Sequence, residues 1–534
     1  MINYDYIIIG AGSAGSVLAN RLSENSLNKV LLIEAGGPDS KMEIDIPAGY
    51  GNLHRSKVDW GFSTEPQKYV NNRRIYLPRG KTLGGSSSTN AMAYVRGNKS
   101  DFDHWDDLGN KGWSYDQVLP YFIKSENNED INNQYHGKNG LLNVTFAKGF
   151  QTPYAQAFLD ACAEIGIPKT DDYNGKKQKG AGLFQFTIKN GKRHSTATAF
   201  LKPAMKKSNL KVLTWARAKQ ILIEGNRAVG VEFQTKSGKI QKEYAKKEVI
   251  LSAGTFQSPQ ILMLSGIGDA QELKTHGIQV KKELPGVGKN LQDHLIVLVS
   301  STSKKQQGFN HLLKPFHQFV GALNYFINKK GPMTCSILEA TAFFEVNDST
   351  TPNLQFHFSP IHIGNDYIPD VYNPKTYPKT DGYSVVPTLL KPKSRGFVGL
   401  KSSSFLDDPI IQPNFLSHED DLKILVTGTK KALDVLNANA FSPYRKENIM
   451  PKDKSDEGII EHIKKSLETV YHPVGSCKMG SDKMSVVDNT LKVHGIDGLR
   501  VVDASIMPII VSGNTNAATI MIAEKAAEMI LQQK

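Results

Sequence analysis

The sequence predicts an α/β protein, which is α+β when the whole chain is considered. Three observations support this fold class. At the start of the chain a short apolar strand runs into closely spaced glycines and then into a helical pattern. Near the end, another strand is followed by a long apolar helix. Between about residues 297 and 460, apolar and polar residues alternate, as in Asn353 to Phe358, which is typical of a half-exposed antiparallel sheet. We therefore expect the two ends of the chain to build one unit, with a different sheet between them.

The composition of the 534 residues is that of an ordinary globular protein. Hydrophobic residues make up 39% and charged residues 22% of the chain, which excludes the disordered, collagen-like and coiled-coil classes. The net charge of +13 comes largely from scattered lysine pairs such as Lys329-Lys330. Such pairs are typical of a solvated surface, and attraction to an anionic membrane is the alternative. Because no long basic run or basic-aromatic motif is present, we expect no nucleic-acid partner.

Cysteine content and hydropathy indicate the compartment. Cys162, Cys335 and Cys477 are too few and too far apart for a disulfide framework or a paired metal or redox motif. No segment reaches the roughly 18 consecutive apolar residues of a membrane span, and the first strand lacks the basic flank of a signal peptide. We therefore expect a cytoplasmic protein without a metal centre.

The glycines after the first strand predict a dinucleotide site. The strand Asp5 to Ile9 is followed by Gly10-Ala11-Gly12-Ser13-Ala14-Gly15 and then by a helix. Gly10 permits the tight turn, Gly12 lets backbone amides approach a pyrophosphate, and Gly15 lets the helix pack closely on the strand. The N-terminus of the helix offers unpaired N–H groups to the anion.

A carboxylate completes this motif. The second strand, Lys29 to Ile33, ends in Glu34, which lies 19 residues after Gly15. At that distance a carboxylate can accept hydrogen bonds from ribose hydroxyl groups. The alternative interpretation is a glycine-rich turn followed by a surface glutamate.

A second glycine-rich loop, from Arg79 to Asn90, indicates a flavin rather than a nicotinamide. It combines three glycines with several hydroxyl side chains, which suits it to surrounding a phosphate with N–H and O–H donors. Near the far end, the strand Leu499 to Val502 leads into Asp503-Ala504, and Gly513 to Asn516 opens a helix that runs to Leu531. The N-terminus of that helix can face a developing anion such as a reduced flavin.

Several segments resemble motifs of the glucose-methanol-choline (GMC) oxidoreductase family. The loop Gly80 to Asn90 followed by Tyr94, and the stretch Gly254 to Gly268, are similar to its two signatures. Residues 285–294, 392–396 and 471–475 resemble other recurring segments, and the resemblance extends from residue 4 to about 532. Within the family, the pattern is similar to that of bacterial choline-dehydrogenase-like proteins and membrane-associated aliphatic alcohol dehydrogenases.

The resemblance implies the GMC fold, in which a substrate domain with an antiparallel sheet is inserted into a Rossmann-like FAD-binding domain. FAD-binding pieces are then expected at residues 1–150, 206–296 and 461–534, and substrate-domain pieces at 151–205 and 297–460. Thr89 stands where some members carry a histidine bonded to FAD, so the resemblance implies noncovalent FAD. The residues implied for FAD binding are Gly10, Gly12, Ser13, Ala14, Gly15, Glu34, Ala35, Gly80, Thr82, Gly84, Gly85, Asn90, Ala91, Met92, Ala93, Ala218, Asp503, Ala504, Asn514 and Thr515.

The resemblance also implies the catalytic residues. His472 matches the family's catalytic histidine, and a largely neutral histidine is suited to take a proton from an alcohol while FAD accepts the hydride. Asn514 matches the partner that holds the substrate oxygen, although an asparagine there could instead cap the last helix. Glu339 is expected to border the substrate pocket or to be a structural carboxylate.

The implied activity is oxidation of a primary, aliphatic alcohol to the aldehyde, with electrons passed to a quinone or another carrier. A choline dehydrogenase and an oxygen-using alcohol oxidase are alternatives, as is a light-driven fatty acid decarboxylase, against which the pair of His472 and Asn514 argues.

The segment Pro315 to Ile327 has apolar residues at helical spacing after an initial proline, which predicts an amphipathic helix. One interpretation is a helix that packs on the substrate domain. The other is a peripheral contact between this helix and the inner face of the cell membrane near the pocket mouth, with nearby lysines favouring anionic headgroups.

Overall fold

The structure is a computed structural model that describes residues 4–364 and 370–532. A seven-stranded sheet forms one half of the molecule. Its parallel strands are, in spatial order, Leu210–Leu213, Val30–Ile33, Tyr4–Ile9, Ile240–Leu251 and Leu499–Val501. A hairpin of Arg217–Glu224 and Arg227–Gln234 pairs antiparallel with the first half of Ile240–Leu251.

The two ends of the chain meet on this sheet. The helix Ser13–Leu22 packs against the last helix, Thr515–Leu531, and both bury apolar side chains in the same core as the strands. Arg21 of the first helix binds Glu524 of the last through two N–H···O bonds of 2.7 and 2.8 Å. The predicted joining of the two ends is therefore present, and the last helix is a core helix as expected.

The strand order places a binding crevice at the centre of this sheet. Tyr4–Ile9 lies between Val30–Ile33 and Ile240–Leu251, so the chain leaves the central strand in one direction and returns on its other side. In such sheets, ligands bind where the order reverses, beyond the carboxyl ends of the strands. Gly10 and Ser252 are the first residues beyond the ends of these two neighbouring strands.

An antiparallel sheet forms the other half. Its main strands are, in spatial order, Arg445–Met450, Val299–Ser303, Gly382–Leu389, Leu354–Ser359, Ala340–Phe344 and Gly180–Leu183, and the short strands Leu295–Ile296 and Glu468–Thr469 pair beside Gly382–Leu389. The predicted fold class is confirmed. The division of the chain into five pieces stays a prediction. The pairing of Gly180–Leu183 with Ala340–Phe344 is relevant to it, because these strands belong to the two expected substrate-domain pieces.

The expectation of a half-exposed sheet around residues 353–358 is wrong. All six residues of Leu354–Ser359 are buried. The helices Pro153–Glu164 and Glu419–Asn437 cover the face that carries Phe356 and Phe358. The polar face, with His357, lines an internal cavity rather than meeting solvent. Alternation alone cannot distinguish these two environments for a polar face.

The amphipathic helix is present and spans Pro315–Asn328. Its buried residues are Gly321 and Tyr325, while the apolar stripe points outward. The helix is therefore held to the rest of the protein through these two residues, whereas the apolar stripe itself does not pack on the substrate domain. Among the described residues, no helix is both long enough and apolar enough to cross a membrane.

The remaining elements are further helices and small sheets. The other α-helices are Met42–Asp45, Lys99–Asp107, Tyr115–Ser125, Lys202–Ala204, Gln257–Leu264, Ala270–Thr275 and Asp456–Ser466. Small sheets are formed by Phe62–Ser63 with Tyr76–Leu77, by Glu126–Asn128 with Leu142–Phe146 and Gln185–Phe186, by Ile188–Lys189 with Lys192–Arg193, by Ile267–Gly268 with Lys282–Glu283, and by Lys289–Leu291 with Gly396–Gly399 and Ile410–Gln412.

Candidate active site

A cavity lies between the carboxyl ends of the parallel strands and the inner face of the antiparallel sheet. Most of the residues expected to bind FAD line it, together with Thr89 and the expected catalytic residue His472. These lining residues are Gly10, Gly12, Ser13, Ala14, Glu34, Ala35, Gly80, Gly85, Asn90, Ala91, Met92, Ala93, Ala218, Asp503, Ala504, Asn514 and Thr515.

Three of the expected residues do not line the cavity but hold its walls together. A Cβ on Gly15 would lie 1.8 Å from the carbonyl oxygen of Gly10, so only glycine lets the helix approach the strand this closely. The N–H of Gly84 donates to the carbonyl of Ala11 at 2.7 Å, which joins the two glycine loops. The hydroxyl of Thr82 donates to the carbonyl of Gly37 at 3.0 Å.

The cofactor side of the cavity fits a dinucleotide. A Cβ on Gly12 would meet no atom within 4 Å, so open space lies directly in front of the helix Ser13–Leu22. The N-terminus of this helix has no side-chain cap, which leaves its first N–H groups available to a pyrophosphate. The hydroxyl of Ser252, which also lines the cavity, is buried without a partner among the described residues.

Glu34 is held at the edge of this space by backbone donors. Its carboxylate accepts from the N–H of Ala11 at 2.8 Å and from that of Gly36 at 2.7 Å. Burial raises the pKa of Glu34 to about 7, against the effect of these two bonds. A carboxylate has further lone pairs with which to accept the ribose hydroxyls.

On the other side of the cavity, His472 contacts a second histidine. The Nδ1 atoms of His472 and His294 are 3.0 Å apart, and Nε2 of His294 lies 3.1 Å from the carbonyl oxygen of Leu390. A carbonyl can only accept, so Nε2 of His294 carries the proton and its Nδ1 is bare. His472 must then donate from Nδ1, which leaves its own Nε2 unprotonated.

The unprotonated Nε2 of His472 faces Asn514. The side-chain Nδ2 of Asn514 donates to it at 3.2 Å, and the Oδ1 of Asn514 has no partner among the described residues. The opposite amide orientation would place Oδ1 against a bare nitrogen. Asn514 is the residue before the last helix, but its side chain makes no capping bond. The side chain of Asn514 is therefore committed to His472 rather than to the helix.

Electrostatics keep His472 neutral. Burial, together with His294 and His357 nearby, lowers the pKa of His472 well below its usual range. Burial lowers the pKa of His294 to about 3. The carboxyl group of Asp293 accepts from the backbone N–H groups of both His294 and His472 at 2.8 Å. Both histidines are thus neutral at physiological pH, and Nε2 of His472 is free to accept a proton.

The backbone around His472 is held by its neighbours. Tyr471 has a φ of +62°, an uncommon conformation for a large side chain, which surrounding contacts must stabilise. The guanidinium group of Arg79 donates to the carbonyl of Tyr471. The strand Glu468–Thr469 pairs with Leu295–Ile296, and this pairing brings the segments of His472 and His294 together.

Two further histidines, His294 and His357, belong to the site although no sequence motif indicates a role for them. His294 lies in the motif-like segment 285–294, but nothing in the sequence indicates a contact across 178 residues. His357 lines the cavity, and its Nδ1 lies 2.8 Å from the hydroxyl of Thr388. Its buried Nε2 has no partner among the described residues, which makes it available to a ligand. The alternation of polar and apolar residues around His357 is the sequence signal for this position, but it equally fits a strand that faces solvent.

Glu339 does not line the cavity. Its carboxylate accepts from the backbone N–H of Thr152 at 2.7 Å and from the Thr152 hydroxyl at 2.6 Å. Burial raises the pKa of Glu339 to about 7. Of its two expected roles, the structure places Glu339 as a buried hydrogen-bonded carboxylate.

Aliphatic side chains contribute to the substrate side of the cavity, and the aromatic side chains of Tyr50, Tyr377 and Tyr471 also line the cavity. The substrate side is formed by the antiparallel sheet and the segments beside it. The aliphatic lining residues there are Ile296, Leu298, Ile337, Leu338, Ile361, Ile363, Val371 and Val386.

Comparison with known families now identifies this arrangement. Profiles described as GMC oxidoreductase match residues 4–296 and 392–523, well over half of the chain. The chain belongs to the GMC oxidoreductase family. The GMC fold expected from the resemblance is confirmed by solved structures.

Relatives of this GMC oxidoreductase act on several substrates. An alcohol dehydrogenase (acceptor) of Pseudomonas putida is 43% identical over 99% of this chain and 96% of the relative. An oxygen-dependent choline dehydrogenase of Sinorhizobium fredii is 43% identical over 99% of this chain and 95% of the relative. Among solved structures, pyridoxine 4-oxidase from Mesorbium loti has a TM-score of 0.89 and 31% identity, covering 98% and 99% of the two chains. A formate oxidase of Aspergillus oryzae, studied for modification of its FAD, has a TM-score of 0.92 and 28% identity, covering 99% and 98%.

These comparisons and the cavity agree on the broad chemistry. The protein is an FAD-dependent alcohol oxidoreductase of the GMC family, and FAD is its cofactor. Small-molecule alcohols are its substrates and it requires an electron acceptor.

Proposed function

We propose that the protein oxidises primary aliphatic alcohols to aldehydes, with His472 as the general base. The observation that carries this proposal is the neutral pair of His472 and Asn514 in a cavity that aliphatic side chains also line. FAD, when bound, supplies the acceptor for the hydride that leaves the alcohol carbon.

The side chains divide the remaining work. The substrate hydroxyl enters between Nε2 of His472 and Nδ2 of Asn514, which are 3.2 Å apart without substrate. It donates its proton to Nε2 of His472 and accepts a hydrogen bond from Nδ2 of Asn514, which stabilises the developing negative charge on oxygen. His294 accepts from Nδ1 of His472 throughout, so it keeps Nε2 as the reactive nitrogen.

The contacts of the carboxylates argue against an anionic cage for the cation of choline. In the described part of the chain, the carboxylates that line the cavity are Glu34, Asp59 and Asp503. Glu34 is bound by backbone N–H groups, and Asp503 by the N–H of Gly254 and the hydroxyl of Ser258. Asp59 accepts from three backbone N–H groups and from the hydroxyl of Tyr76. Each of them already has donors.

The electron acceptor in this proposal is a quinone or another carrier rather than oxygen, by analogy with the alcohol dehydrogenase (acceptor) of Pseudomonas putida. A quinone resides in the bilayer, so the proposal also includes a peripheral contact with a membrane. Cys162, Cys335 and Cys477 are buried free thiols, which suits a reducing compartment and supports a place at the cytoplasmic face.

Anaerobic mixing tests this function. Purified holoenzyme is mixed with 1-butanol, 1-octanol, benzyl alcohol or choline while the flavin absorbance is followed, and a soluble quinone analogue or oxygen is then added. We expect bleaching by the alkanols and faster reoxidation by the quinone. Bleaching by choline alone would favour a choline dehydrogenase, and faster reoxidation by oxygen would favour an oxidase. No bleaching by any alcohol, with decarboxylation of fatty acids under blue light, would refute the proposal.

We further propose that FAD is bound noncovalently. Thr89 lines the cavity at the position where some family members carry the histidine that is bonded to flavin, and threonine has no imidazole ring. Acid precipitation should therefore release FAD into the supernatant. A yellow pellet of denatured protein would contradict this expectation.

A further inference from the structure

The helix Pro315–Asn328 exposes a continuous apolar face. Six of the seventeen large hydrophobic side chains that are exposed in the described residues lie on this helix. Their spacing of three and four places them on one side, and Phe316, Phe319 and Ile327 are 71%, 68% and 69% exposed. We name this face the outer stripe; it consists of Phe316, Phe319, Val320, Leu323, Phe326 and Ile327.

An apolar face of this kind needs an explanation. Single exposed apolar residues are normal, but a contiguous patch marks a surface that binds something apolar. The helix contacts the rest of the protein through Gly321 and Tyr325, so the outer stripe takes no part in the core. A partner of the outer stripe therefore lies outside the described residues of this chain.

The charge of the segment that carries the outer stripe points to an anionic partner. No aspartate or glutamate occurs between Asp293 and Glu339, a run of 45 residues, whereas five lysines do. Lys314 directly precedes the helix, and Lys329 and Lys330 directly follow it. Lys304 and Lys305 are the other two, and none of the five forms an ion pair with a described carboxylate. Aromatic and aliphatic residues between lysines that lack ion pairs are typical of a helix that lies in the interface of an anionic bilayer.

The segment that precedes the helix is tied to the wall of the cavity. The backbone N–H of Phe309 donates to the carbonyl of Pro360 at 2.8 Å, and Nδ2 of Asn310 donates to the carbonyl of His362 at 2.9 Å. These bonds flank Ile361, which lines the cavity.

The segment that follows the helix is also close to the cavity. The turn Pro332–Thr334 packs against Pro47–Asn52, which includes the lining residue Tyr50. Both ends of the helix therefore adjoin the substrate side of the cavity.

We propose that the outer stripe inserts into the surface of an anionic lipid bilayer, and that this contact presents the substrate side of the cavity to the membrane. The inference deepens the proposed function and rests on it for its purpose, since aliphatic alcohols and quinones both concentrate in bilayers. A second copy of the chain is a poorer occupant, because a symmetric contact would bring the flanking lysines of two helices together.

Vesicle sedimentation of the holoenzyme tests the contact without turnover. The parent should sediment with vesicles containing about 30% phosphatidylglycerol in about 50 mM salt, and much less in about 500 mM salt or with pure phosphatidylcholine. The triple variant Phe316→Ser/Phe319→Ser/Leu323→Ser should lose about 100-fold in partitioning, because three apolar side chains no longer leave water. The matched control is Leu27→Ser/Leu108→Ser/Leu406→Ser, which removes three exposed apolar residues elsewhere and should bind like the parent.

Charge variants test whether the lysines beside the helix, rather than the net positive charge of the whole protein, favour binding to anionic vesicles. Lys329→Glu/Lys330→Glu should weaken binding to anionic vesicles by about tenfold or more. Lys176→Glu/Lys177→Glu changes the net charge equally at another exposed lysine pair and should have a much smaller effect. Equal binding by the parent and the triple variant would overturn the inference. So would absence of binding at low salt, or a dimer of the parent that the triple variant dissociates.

Activity measurements separate the membrane contact from the catalytic function. With 1-butanol and a soluble dye as acceptor, the triple variant should match the parent, because the outer stripe does not line the cavity. With a long-chain alkanol in anionic vesicles, only the parent should become faster as lipid is added, and equal acceleration of the triple variant would contradict delivery from the membrane. If no alcohol reduces the flavin while vesicle binding still depends on the outer stripe, the proposed function fails and the membrane contact stands.

Discussion

The cofactor side of the cavity is built from backbone groups at strand ends, whereas the substrate side is built from side chains that come from distant parts of the chain. On the cofactor side, Gly12 and Glu34 lie within 22 residues of each other and act through local turns. On the substrate side, His472 depends on His294, which lies 178 residues away, and on the carbonyl of Leu390. A short motif thus specifies where the cofactor binds, but only the complete fold specifies which nitrogen is the base.

Replacement of the base should have the largest effect. His472→Ala removes the proton acceptor, so the rate constant of flavin reduction by 1-butanol should fall about 10²- to 10⁴-fold while FAD stays bound. Anaerobic stopped-flow spectroscopy measures this rate. His104→Ala, at an exposed histidine, is the control and should behave like the parent. Unchanged reduction in fully flavinated His472→Ala would remove this residue from the mechanism.

The second prediction tests whether His294 fixes the tautomer of His472. His294→Leu removes the acceptor for Nδ1–H of His472, so flavin reduction should slow by about 10- to 100-fold. His294→Asn retains an acceptor oxygen near the position of Nδ1 and should recover much of the rate. If His294 had only a structural role, the presence of an acceptor oxygen in the variant would not affect the rate. Equal rates of flavin reduction in His294→Leu and His294→Asn would therefore contradict a role of His294 in setting the tautomer of His472.

Two glycine variants sharpen the account of the cofactor side. Gly12→Ala projects a methyl group into open space, so it should leave the stability of the apoprotein unchanged and weaken FAD binding by roughly tenfold or more. Gly15→Ala drives a methyl group into the Gly10 carbonyl, so it should lower the free energy of unfolding by about 1–3 kcal/mol or more. Thermal unfolding and flavin titration measure both. Equal effects of the two variants on stability would show that Gly12 does not face the cofactor.

The pH dependence should show the smallest change. Catalysis needs neutral His472, whose pKa burial lowers below the ordinary value of about 6.5. The rate constant of flavin reduction should therefore stay constant from about pH 8 down through about pH 6.5 and fall only in more acidic solution. A decline centred above the ordinary histidine pKa would mean that the site favours the protonated form, in conflict with the contacts described.

On the cofactor side, most of the residues expected from the sequence line the cavity. The strand, the glycines and Glu34 form a contiguous unit, and the turn geometry alone determines which groups face the cavity. Gly84 contacts Ala11 of the first glycine loop and Thr82 contacts Gly37, so both residues lie behind the cavity wall. A motif does not distinguish a residue that lines the cavity from one behind it.

The substrate side was less predictable for physical reasons. His357 alternates with phenylalanines, and the same alternation suits a polar face toward water or toward a cavity. Helical spacing predicted the outer stripe, but spacing does not decide whether such a face meets the protein core or the outside. Similarly, Glu339 precedes a strand of the antiparallel sheet, and only the fold shows that its carboxylate binds Thr152.

The central claim is that a neutral base acts in an aliphatic cavity, and the dependence of flavin reduction on alcohol chain length tests it most directly. The second-order rate constant should rise from ethanol through the medium-chain alkanols by up to about 0.8 kcal/mol per added methylene, until the cavity is full. It should exceed the value for choline throughout the medium-chain range. A rate constant that is independent of chain length, or that is greatest for choline, would contradict the account.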